Sequence, residues 1–292
     1  MSVLAGRTAV VTGAARGIGA ALATELAARG ATVALLGHEP DLLARTAALC
    51  GPRARWWQAD VTDGARLAEV AAEVETSLGA ADVVVANAGI ALGGPFLETD
   101  AAAFDRVVEV NLLGSVRTAR AFGPQLVRRR GHLLQIASLA AIVTSPMMAA
   151  YCASKSGVEA FARAVGAEVA HTGTTVGVAY LSWTDTDMVR GADASAPAAG
   201  ARAKLPPPFG RTYAVEDAAA ALADGIERRR AHVYFPRWVG AVAPVRGVLP
   251  GLLGAVGRRA AAQAAQAYAD AGPVEHAVGD GGAADDAARA HP

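Results

Sequence analysis

Residues 7–19 read RTAVVTGAARGIG, a short apolar run that ends in a glycine-rich turn. The first half of this stretch has the length and β-branched content of a buried strand, and the residues after the turn have a helical pattern. The glycines let the backbone turn tightly and approach a pyrophosphate closely, and the helix that follows would offer free N–H groups to it. A tight structural turn would look similar, so the rest of the chain has to separate the two interpretations.

Outward from this stretch, short apolar runs alternate with longer helical patterns. Strands are predicted over 7–12, 32–36, 55–59, 82–86, 132–137, 175–181 and 232–235. Helices are predicted up to 29 and over 40–49, 63–78, 100–130 (one or two), 149–172 and 215–230. This alternation predicts an α/β fold, a doubly wound, Rossmann-like parallel sheet of about seven strands with helices on both faces and a C-terminal helical extension. Ligands of such sheets bind beyond the carboxyl ends of the strands.

Composition narrows the class of protein. Hydrophobic residues make up 53% of the chain, and 27 basic side chains balance 27 acidic ones, so no nucleic-acid partner is indicated. The sequence shows neither a signal-peptide pattern nor an apolar run long enough to span a bilayer, which predicts a cytoplasmic protein without a membrane partner. The two cysteines and six histidines have no ligand spacing, so no metal is predicted.

The chain divides into three predicted parts. Residues 1–236 would form the Rossmann-like catalytic domain, in which the Ala-, Gly- and Pro-rich segment 191–212 is either a plain linker or a lid over a substrate. Residues 237–271 form the extension, which could pack on the body, cover a partner subunit or lie on a membrane surface. Residues 272–292 are predicted to be a disordered tail.

A set of motifs follows the glycine turn in a fixed order. Thr12–Gly19 resembles the T-G-x-x-x-G-[IL]-G cofactor motif of short-chain dehydrogenases/reductases. The further matches are Asp60-Val61, Asn87-Ala88-Gly89, Asn111 in NLLG, Ser138, and Tyr151 with Lys155 in YCASK. Both asparagines of the chain fall on these motifs. The resemblance covers about residues 5–235, and the ordered set is hard to obtain by chance.

The resemblance assigns roles to these positions. The implied catalytic residues are Asn111, Ser138, Tyr151 and Lys155. The implied cofactor-binding residues are Gly13, Arg16, Gly17, Ile18, Gly19, His38, Asp60, Val61, Asn87, Ala88, Gly89, Tyr151, Lys155, Thr184, Thr186 and Met188. It also implies a homodimer or homotetramer, with the helices that hold Asn111 and Tyr151 at the interface.

The spacing of the tyrosine and the lysine has a chemical reason. Residues i and i+4 are neighbours on one helix face, so a Lys155 ammonium would lie beside the Tyr151 phenol. That ammonium, with an oxidised nicotinamide, would lower the tyrosine pKa from its reference of about 10. Tyr151 would then exchange a proton with a ketone or an alcohol while Ser138 holds the substrate oxygen. By the resemblance, Lys155 would also bind the ribose, and Asn111 would anchor a water.

The predicted function is therefore hydride transfer between a nicotinamide cofactor and a ketone or secondary alcohol. The substrate-facing residues are predicted to be Ser138, Leu139, Met147, Met148, Tyr151 and Trp183, which are mostly apolar and favour a hydrophobic substrate. The alternatives are a dinucleotide sensor without turnover, and a dehydratase or isomerase on the same fold.

Two positions depart from the family pattern. Leu181-Ser182 stands where many members have Pro-Gly, which leaves the local turn open, although Thr186 and Met188 still match. Gly37 stands where NAD-preferring members place an acid, and Arg16 could meet a 2′-phosphate. These features favour NADP(H), whereas NAD(H) stays possible because Glu39 could swing in.

Overall fold

Seven parallel strands form one sheet in the computed structural model, which describes residues 2–194, 202, 205, 207–248, 258, 262 and 277–290. The strands are β1 (Thr8–Thr12), β2 (Thr32–Gly37), β3 (Ala54–Gln58), β4 (Val83–Ala86), β5 (His132–Ile136), β6 (Thr175–Leu181) and β7 (His232–Phe235). Their order is β3-β2-β1-β4-β5-β6-β7, and every neighbouring pair is parallel. The predicted doubly wound sheet is confirmed.

Helices cover both faces of this sheet. They are α1 (Gly17–Ala28), α2 (Pro40–Cys50), α3 (Gly64–Leu78), α4 (Ala101–Val108), α5 (Gly114–Arg129), α6 (Ala149–Val169), α7 (Asp187–Ala194), α8 (Val215–Glu227), α9 (Val239–Val242) and α10 (Gly279–Ala290). A π-helical turn, Glu109–Leu113, joins α4 to α5, so the long pattern over 100–130 is two abutting helices.

The two cores follow from the alternation of side chains along each strand. Val11 belongs to the cluster on the α1 and α8 face, whereas Val10 belongs to the cluster on the α3 and α5 face, and both are fully buried. A sheet covered in this way needs apolar residues at every position, which explains the continuous apolar run of β1. The two edge strands, β3 and β7, depart from this pattern. Trp56 of β3 is 39% exposed, because this strand pairs only with β2, and His232 at the start of β7 is exposed as well.

The order of the strands places a crevice at the carboxyl edge of the sheet. From β1 the chain moves to β2 on one side, whereas β4 lies on the other side. The segments that follow β1 and β4 therefore diverge, and such a switch point is where ligands of open parallel sheets bind.

The C-terminal part corrects one prediction. The prediction that residues 272–292 form a disordered tail is wrong for residues 279–290, which form α10. Asp285 of α10 is buried and pairs with Arg106 on α4, a contact between distant residues that the composition of the tail could not indicate.

The start of the predicted extension packs on the body of the protein. Val239 is fully buried, and Trp238 Nε1 donates to the Tyr213 hydroxyl at 3.0 Å. Of residues 237–271, the remainder after Val248 lies outside the described residues, apart from 258 and 262. Of the predicted lid, residues 191–194 end α7, while 195–201, 203, 204 and 206 lie outside the described residues.

Candidate active site

The glycine turn after β1 is shaped to leave backbone groups accessible. Gly13 and Gly17 have φ angles of +63° and +54°, a conformation that side-chain-bearing residues rarely adopt. A Cβ added at Gly19 would lie 2.1 Å from the carbonyl oxygen of Gly13, so the third glycine allows α1 to start directly against the turn. No side chain caps α1, whose N-cap residue is Arg16. The first N–H groups of α1, with the positive end of its dipole, can therefore hold an anion.

Asn87 fixes the turn to the end of β4. Its Nδ2 donates to the carbonyl oxygens of Thr12 and Gly13 at 2.9 and 3.2 Å, and its backbone N–H donates to Thr12 Oγ1 at 3.0 Å. A Cβ at Gly13 would lie 2.8 Å from Ala88 Cα, so the turn and the Asn87–Gly89 segment approach at backbone distance. Both motifs line one crevice.

Asn111 lies in the π-helical turn and is fully buried. Its Oδ1 accepts from the N–H of Ile90 at 2.8 Å, and its Nδ2 donates to the carbonyl oxygen of Ile90 and to Ser154 Oγ, both at 3.0 Å. It therefore joins the α4–α5 pair to the β4 loop and to α6. A Cβ at Gly89 would lie 3.0 Å from Asn111 Oδ1 and 3.3 Å from Lys155 Nζ, so Gly89 leaves room for both side chains.

Ser138, Tyr151 and Lys155 come together between β5 and α6. Lys155 Nζ lies 5.8 Å from the centroid of the Tyr151 ring and donates to the carbonyl oxygen of Ile136 at 2.9 Å. Ser138 follows β5, accepts from the N–H of Ala140 at 3.1 Å, and lies close enough to the Tyr151 phenol to influence its pKa. The strand end and one helix face thus place a hydroxyl, a phenol and an ammonium in one group.

Burial dominates the protonation of this group. It raises the pKa of Tyr151, and the neighbouring Ser138 hydroxyl opposes that rise. It lowers the pKa of Lys155 from 10.5 to about 8. The protein by itself therefore raises the pKa of Tyr151. The lower pKa predicted from the sequence also includes the effect of the positive charge of an oxidised nicotinamide.

The segment after β6 closes the crevice from the other side. The β6–β7 ladder continues past Leu181, because the N–H of Ser182 donates to the carbonyl oxygen of Phe235 at 2.9 Å. Thr184 is buried and forms a bridge with Tyr213. The Thr186 methyl group lies 3.4 Å from where a Cβ of Gly17 would be, so this segment reaches the glycine turn. Met188 follows in the first turn of α7.

Arg16 and His38 lie at the part of the crevice near the end of β2. Arg16 Nε donates to Glu39 at 2.9 Å and Nη1 to Asp187 at 3.1 Å, and chiefly its hydrogen bond to Glu39 raises its pKa. His38 Nε2 lies 3.9 Å from Asp60, which Arg106 also contacts at 3.1 Å.

The pKa of Asp60 is lowered overall. Burial opposes this, but hydrogen bonds from Thr62 and Arg106 and the charge of His38 outweigh it. The neighbouring Val61 is buried against Gly114.

The predicted substrate residues lie on the segments around Ser138 and Tyr151. Leu139 begins a 3₁₀ turn directly after Ser138, and Met148 is the N-cap of α6. Met147 has a φ angle of +66°, and its carbonyl oxygen accepts from the N–H of Gly94 at 2.7 Å. Trp183 follows β6, and the Arg202 guanidinium lies 5.5 Å from the centroid of its ring.

Three residues that border the crevice were not found from the sequence. Arg106, on α4, donates to Asp60 and Asp285, and Asp280 of α10 lies 3.5 Å from Arg16. No local pattern indicates Arg106, because its partners Asp60 and Asp285 are distant in the sequence. For Asp280 and Asp285 the only signal is that the tail has acidic side chains.

A glycine turn beside a paired tyrosine and lysine, at the carboxyl edge of a doubly wound sheet, is typical of oxidoreductases that use a nicotinamide dinucleotide. The family model for short chain dehydrogenases matches residues 7–196. The chain belongs to the short-chain dehydrogenase family, as its motifs predict. It is thus an enzyme that transfers hydride between NAD or NADP and an alcohol or carbonyl group of a small molecule.

Individual relatives agree with this assignment. The chain is 36% identical over 221 residues to cis-4-hydroxycyclohexanecarboxylate dehydrogenase of Sinomonas cyclohexanicum, which covers 74% of this chain and 88% of that protein. It is 39% identical over 201 residues to 1-deoxy-11-beta-hydroxypentalenate dehydrogenase of Streptomyces exfoliatus, covering 66% and 73%. A crystal structure assigned as a gluconate dehydrogenase of Agrobacterium tumefaciens superposes with a TM-score of 0.72 at 26% identity, covering 81% of this chain and 96% of the other.

Two kinds of feature are absent from the described part of the chain. None of its helices is both long and apolar enough to cross a bilayer. Within the same residues, no group of three or more His, Cys, Asp or Glu side chains is placed to hold a metal ion.

Proposed function

We propose that this enzyme interconverts a hydrophobic ketone and its secondary alcohol, with Tyr151 as the general acid and base. The observation that carries the proposal is the grouping of Ser138, Tyr151 and Lys155 at the end of β5, with the Lys155 ammonium 5.8 Å from the centre of the phenol ring. A phenol that must exchange a proton near neutral pH needs a neighbouring positive charge, and the next helical turn supplies one.

The residues along the crevice fit a dinucleotide. The uncapped start of α1 and the glycines of the turn, Gly13, Gly17 and Gly19, would hold the pyrophosphate, with Ile18 adding a backbone N–H. The nicotinamide end would lie against Thr184, Thr186 and Met188 and against the Asn87–Gly89 segment. The adenosine end would lie against Asp60, Val61 and His38. When bound, the dinucleotide supplies or accepts the hydride.

The chain's own side chains perform the proton transfer. Ser138 would hold the substrate oxygen in line by a hydrogen bond. Tyr151 would donate its proton to that oxygen during reduction and take it back during oxidation. The Lys155 ammonium stabilises the phenolate that remains, and its low pKa of about 8 leaves a large charged fraction at neutral pH. Asn111 acts as a positioning residue, because its side chain holds the Ile90 backbone and Ser154, and its water contact stays a prediction.

NADP(H) is the cofactor that this crevice favours. Gly37, at the end of β2, provides no carboxylate to bind a ribose 2′-OH. The Arg16 guanidinium lies beside Glu39, near the same strand end, where a 2′-phosphate would be. Glu39 and Asp187 hold that guanidinium, so a 2′-phosphate would share it with two carboxylates.

The Arg16→Ala variant tests this preference. We expect it to raise the dissociation constant for NADPH about tenfold, because one exposed charge-assisted contact is lost. The dissociation constant for NADH should rise less than twofold. Fluorescence titration with each cofactor measures both constants. Equal effects on the two would remove Arg16 from 2′-phosphate binding.

The substrate side is mainly apolar. Leu139, Met147, Met148 and Trp183 would surround the space beyond Ser138, which suits a hydrophobic carbonyl compound. Two relatives act, by name, on a hydroxycyclohexanecarboxylate and a hydroxypentalenate. We therefore propose a cyclic secondary alcohol as the substrate class.

The experiment that tests the function is a turnover assay of the purified enzyme with NADP⁺ and NAD⁺. The panel holds cis-4-hydroxycyclohexanecarboxylate, cyclohexanol and a linear secondary alcohol, and reduced nicotinamide is followed by its absorbance. We expect faster turnover of the cyclic compounds. Cofactor binding without turnover of any alcohol or of the matching ketones would favour a dinucleotide sensor.

We also propose that the enzyme is a homodimer or homotetramer that pairs through α5 and α6. Leu113 at the start of α5 and Val127 near its end are 43% and 39% exposed, and a second copy would cover them. Light scattering after gel filtration measures the state, and a monomer at micromolar concentration would contradict it.

A further inference from the structure

The C-terminal helix α10 begins against the segment that follows β6. A Cβ added at Gly279 would lie 2.6 Å from the carbonyl oxygen of Asp187, and one added at Gly191 would lie 2.5 Å from Gly279 Cα. The N–H of Val278 donates to the carbonyl oxygen of Ala91 at 2.8 Å, just past the Asn87–Gly89 segment. The start of α10 therefore meets the two segments assigned above to the nicotinamide end of the crevice.

The next contact lies at the glycine turn. Asp280 Oδ2 is 3.5 Å from Nη1 of Arg16, which is the N-cap residue of α1. The Asp280 side chain is largely exposed, so this ion pair by itself contributes little. Its importance is its position, because it places a carboxylate at the glycine turn that would hold the pyrophosphate, on the arginine that would meet a 2′-phosphate.

The third contact lies at the ends of β2 and β3. Asp285 is buried, and its two oxygens accept from Nε and Nη2 of Arg106 at 2.9 and 2.7 Å. His38 Nε2 lies 3.8 Å from the same carboxylate. A buried, two-pronged arginine–carboxylate pair is the strongest of the three contacts. The pair contacts His38 and Asp60, which were assigned above to the adenosine end of the crevice.

The three contacts follow the order in which the parts of a dinucleotide would lie. Since a helix and a dinucleotide cannot occupy one crevice together, α10 has to leave before the cofactor enters. We propose that α10 is an internal competitive inhibitor, whose Asp280 and Asp285 occupy the cationic side chains that would otherwise face an anionic cofactor. This inference rests on the proposed cofactor site.

The sequence of α10 suits a helix that is readily displaced. Gly281 and Gly282 lie inside it, and glycine is among the poorest helix formers. The helix therefore depends on its contacts with the crevice. Gly279 has a φ angle of +79°, and a side chain at this position would collide with the Asp187 backbone. A substitution here should therefore displace α10.

The test uses the full chain and two independent substitutions. Asp285→Asn removes the buried charge, and Gly279→Leu keeps every charge but blocks the seat of α10. Glu168→Gln serves as the matched control, because it removes one exposed carboxylate from the last turn of α6, near the amino ends of the strands. The probes are NADPH and NADH in fluorescence titrations.

We expect both α10 variants to lower the dissociation constant of the tighter-binding dinucleotide at least fivefold, while kcat changes less than twofold. A synthetic peptide of residues 277–290 should raise that constant again in Gly279→Leu, and Glu168→Gln should match the wild type. Unchanged or weaker binding in both variants would overturn the inference and leave the proposed function intact, since α10 would then be a bystander or a cover over bound cofactor. Failure of every form to bind either dinucleotide would overturn the cofactor site and the inference together.

Discussion

Lys155 is held in surroundings that oppose its charge. Its side chain is buried, and in the folded protein its pKa falls to about 8 from 10.5. The unfolded chain keeps the ammonium until the higher value, so between the two pH values the folded state binds fewer protons and stability rises with pH. Below pH 8 the charged, buried ammonium destabilises the fold by about 3 kcal/mol at most, at roughly 1.4 kcal/mol per pKa unit.

We therefore predict that Lys155→Met unfolds at higher urea concentration than the wild type at pH 7. The advantage should be about 1–3 kcal/mol, because the lost hydrogen bond to Ile136 offsets part of the gain, and it should shrink between pH 8 and 10.5. Urea titrations at four pH values across this range measure it. A difference that does not change with pH would show that Lys155 is not charged at a cost in the folded state.

Tyr151 allows a separation of chemistry from binding. Tyr151→Phe removes only the phenolic oxygen, so we predict that kcat falls by about 10²–10⁴, the usual contribution of a general acid or base. The dissociation constant for the dinucleotide should change less than twofold. Steady-state kinetics and titration of the same preparation measure both quantities, and near-normal turnover would assign the proton to another group.

At the scale of single elements, α1 depends on the absence of a side chain at one position. A Cβ at Gly19 would lie 2.1 Å from the Gly13 carbonyl oxygen, whereas one at Gly166 in α6 would lie 3.4 Å from Val176 Cβ, an ordinary van der Waals contact. Both residues are helical, so alanine would favour each helix by about 1 kcal/mol in the absence of a clash.

We predict that Gly166→Ala raises the free energy of unfolding by about 0.5–1 kcal/mol, while Gly19→Ala lowers it by about 1–3 kcal/mol. Gly19→Ala should also weaken dinucleotide binding, because the turn has to open. Urea unfolding and titration of the two variants side by side provide the measurement. If they proved equally stable, the close packing of the turn would be wrong.

The elements differ in how far the sequence could predict them. The strands of the sheet centre were predictable, because burial on both faces requires an unbroken apolar run such as that of β1. The residues Asn87, Asn111 and Lys155 were predicted because they match the family's motifs in order.

Other features depend on contacts between distant residues, and no local pattern encodes such contacts. The exposure of Trp56 results from the edge position of β3, and α10 depends on the pair between Asp285 and Arg106. From composition alone, a helix made of glycine, alanine and aspartate, such as α10, cannot be distinguished from a disordered tail, because the side chain that it packs against is not known.

On the scale of the whole molecule, one buried histidine links the stability of the sheet to pH. His132 begins β5, and burial lowers its pKa from 6.5 to about 4, while its Nδ1 lies 2.8 Å from Thr175 Oγ1. As pH falls below 6.5, the unfolded chain takes up the proton and the folded chain does not, so stability is lost down to about pH 4.

We predict that His132 contributes up to about 3 kcal/mol to this acid destabilisation. Replacing it with glutamine should flatten the fall between pH 6.5 and 4, measured as the difference in unfolding free energy from the wild type. The matched control is His171→Gln, because His171 is exposed at the end of α6. A pH dependence that survives in His132→Gln would assign it to carboxylates instead.

The position of α10 at the far end of the chain also sets an order of events during synthesis. The sheet is complete at residue 235 and α10 begins at residue 279, 279 − 235 = 44 residues later. At about 5–20 residues per second, a ribosome needs roughly 2–9 s to make that interval. The strands and motifs of the crevice therefore leave the ribosome before the helix that packs against them. During synthesis, the crevice thus becomes accessible to the cellular dinucleotide pool before α10 can pack against it.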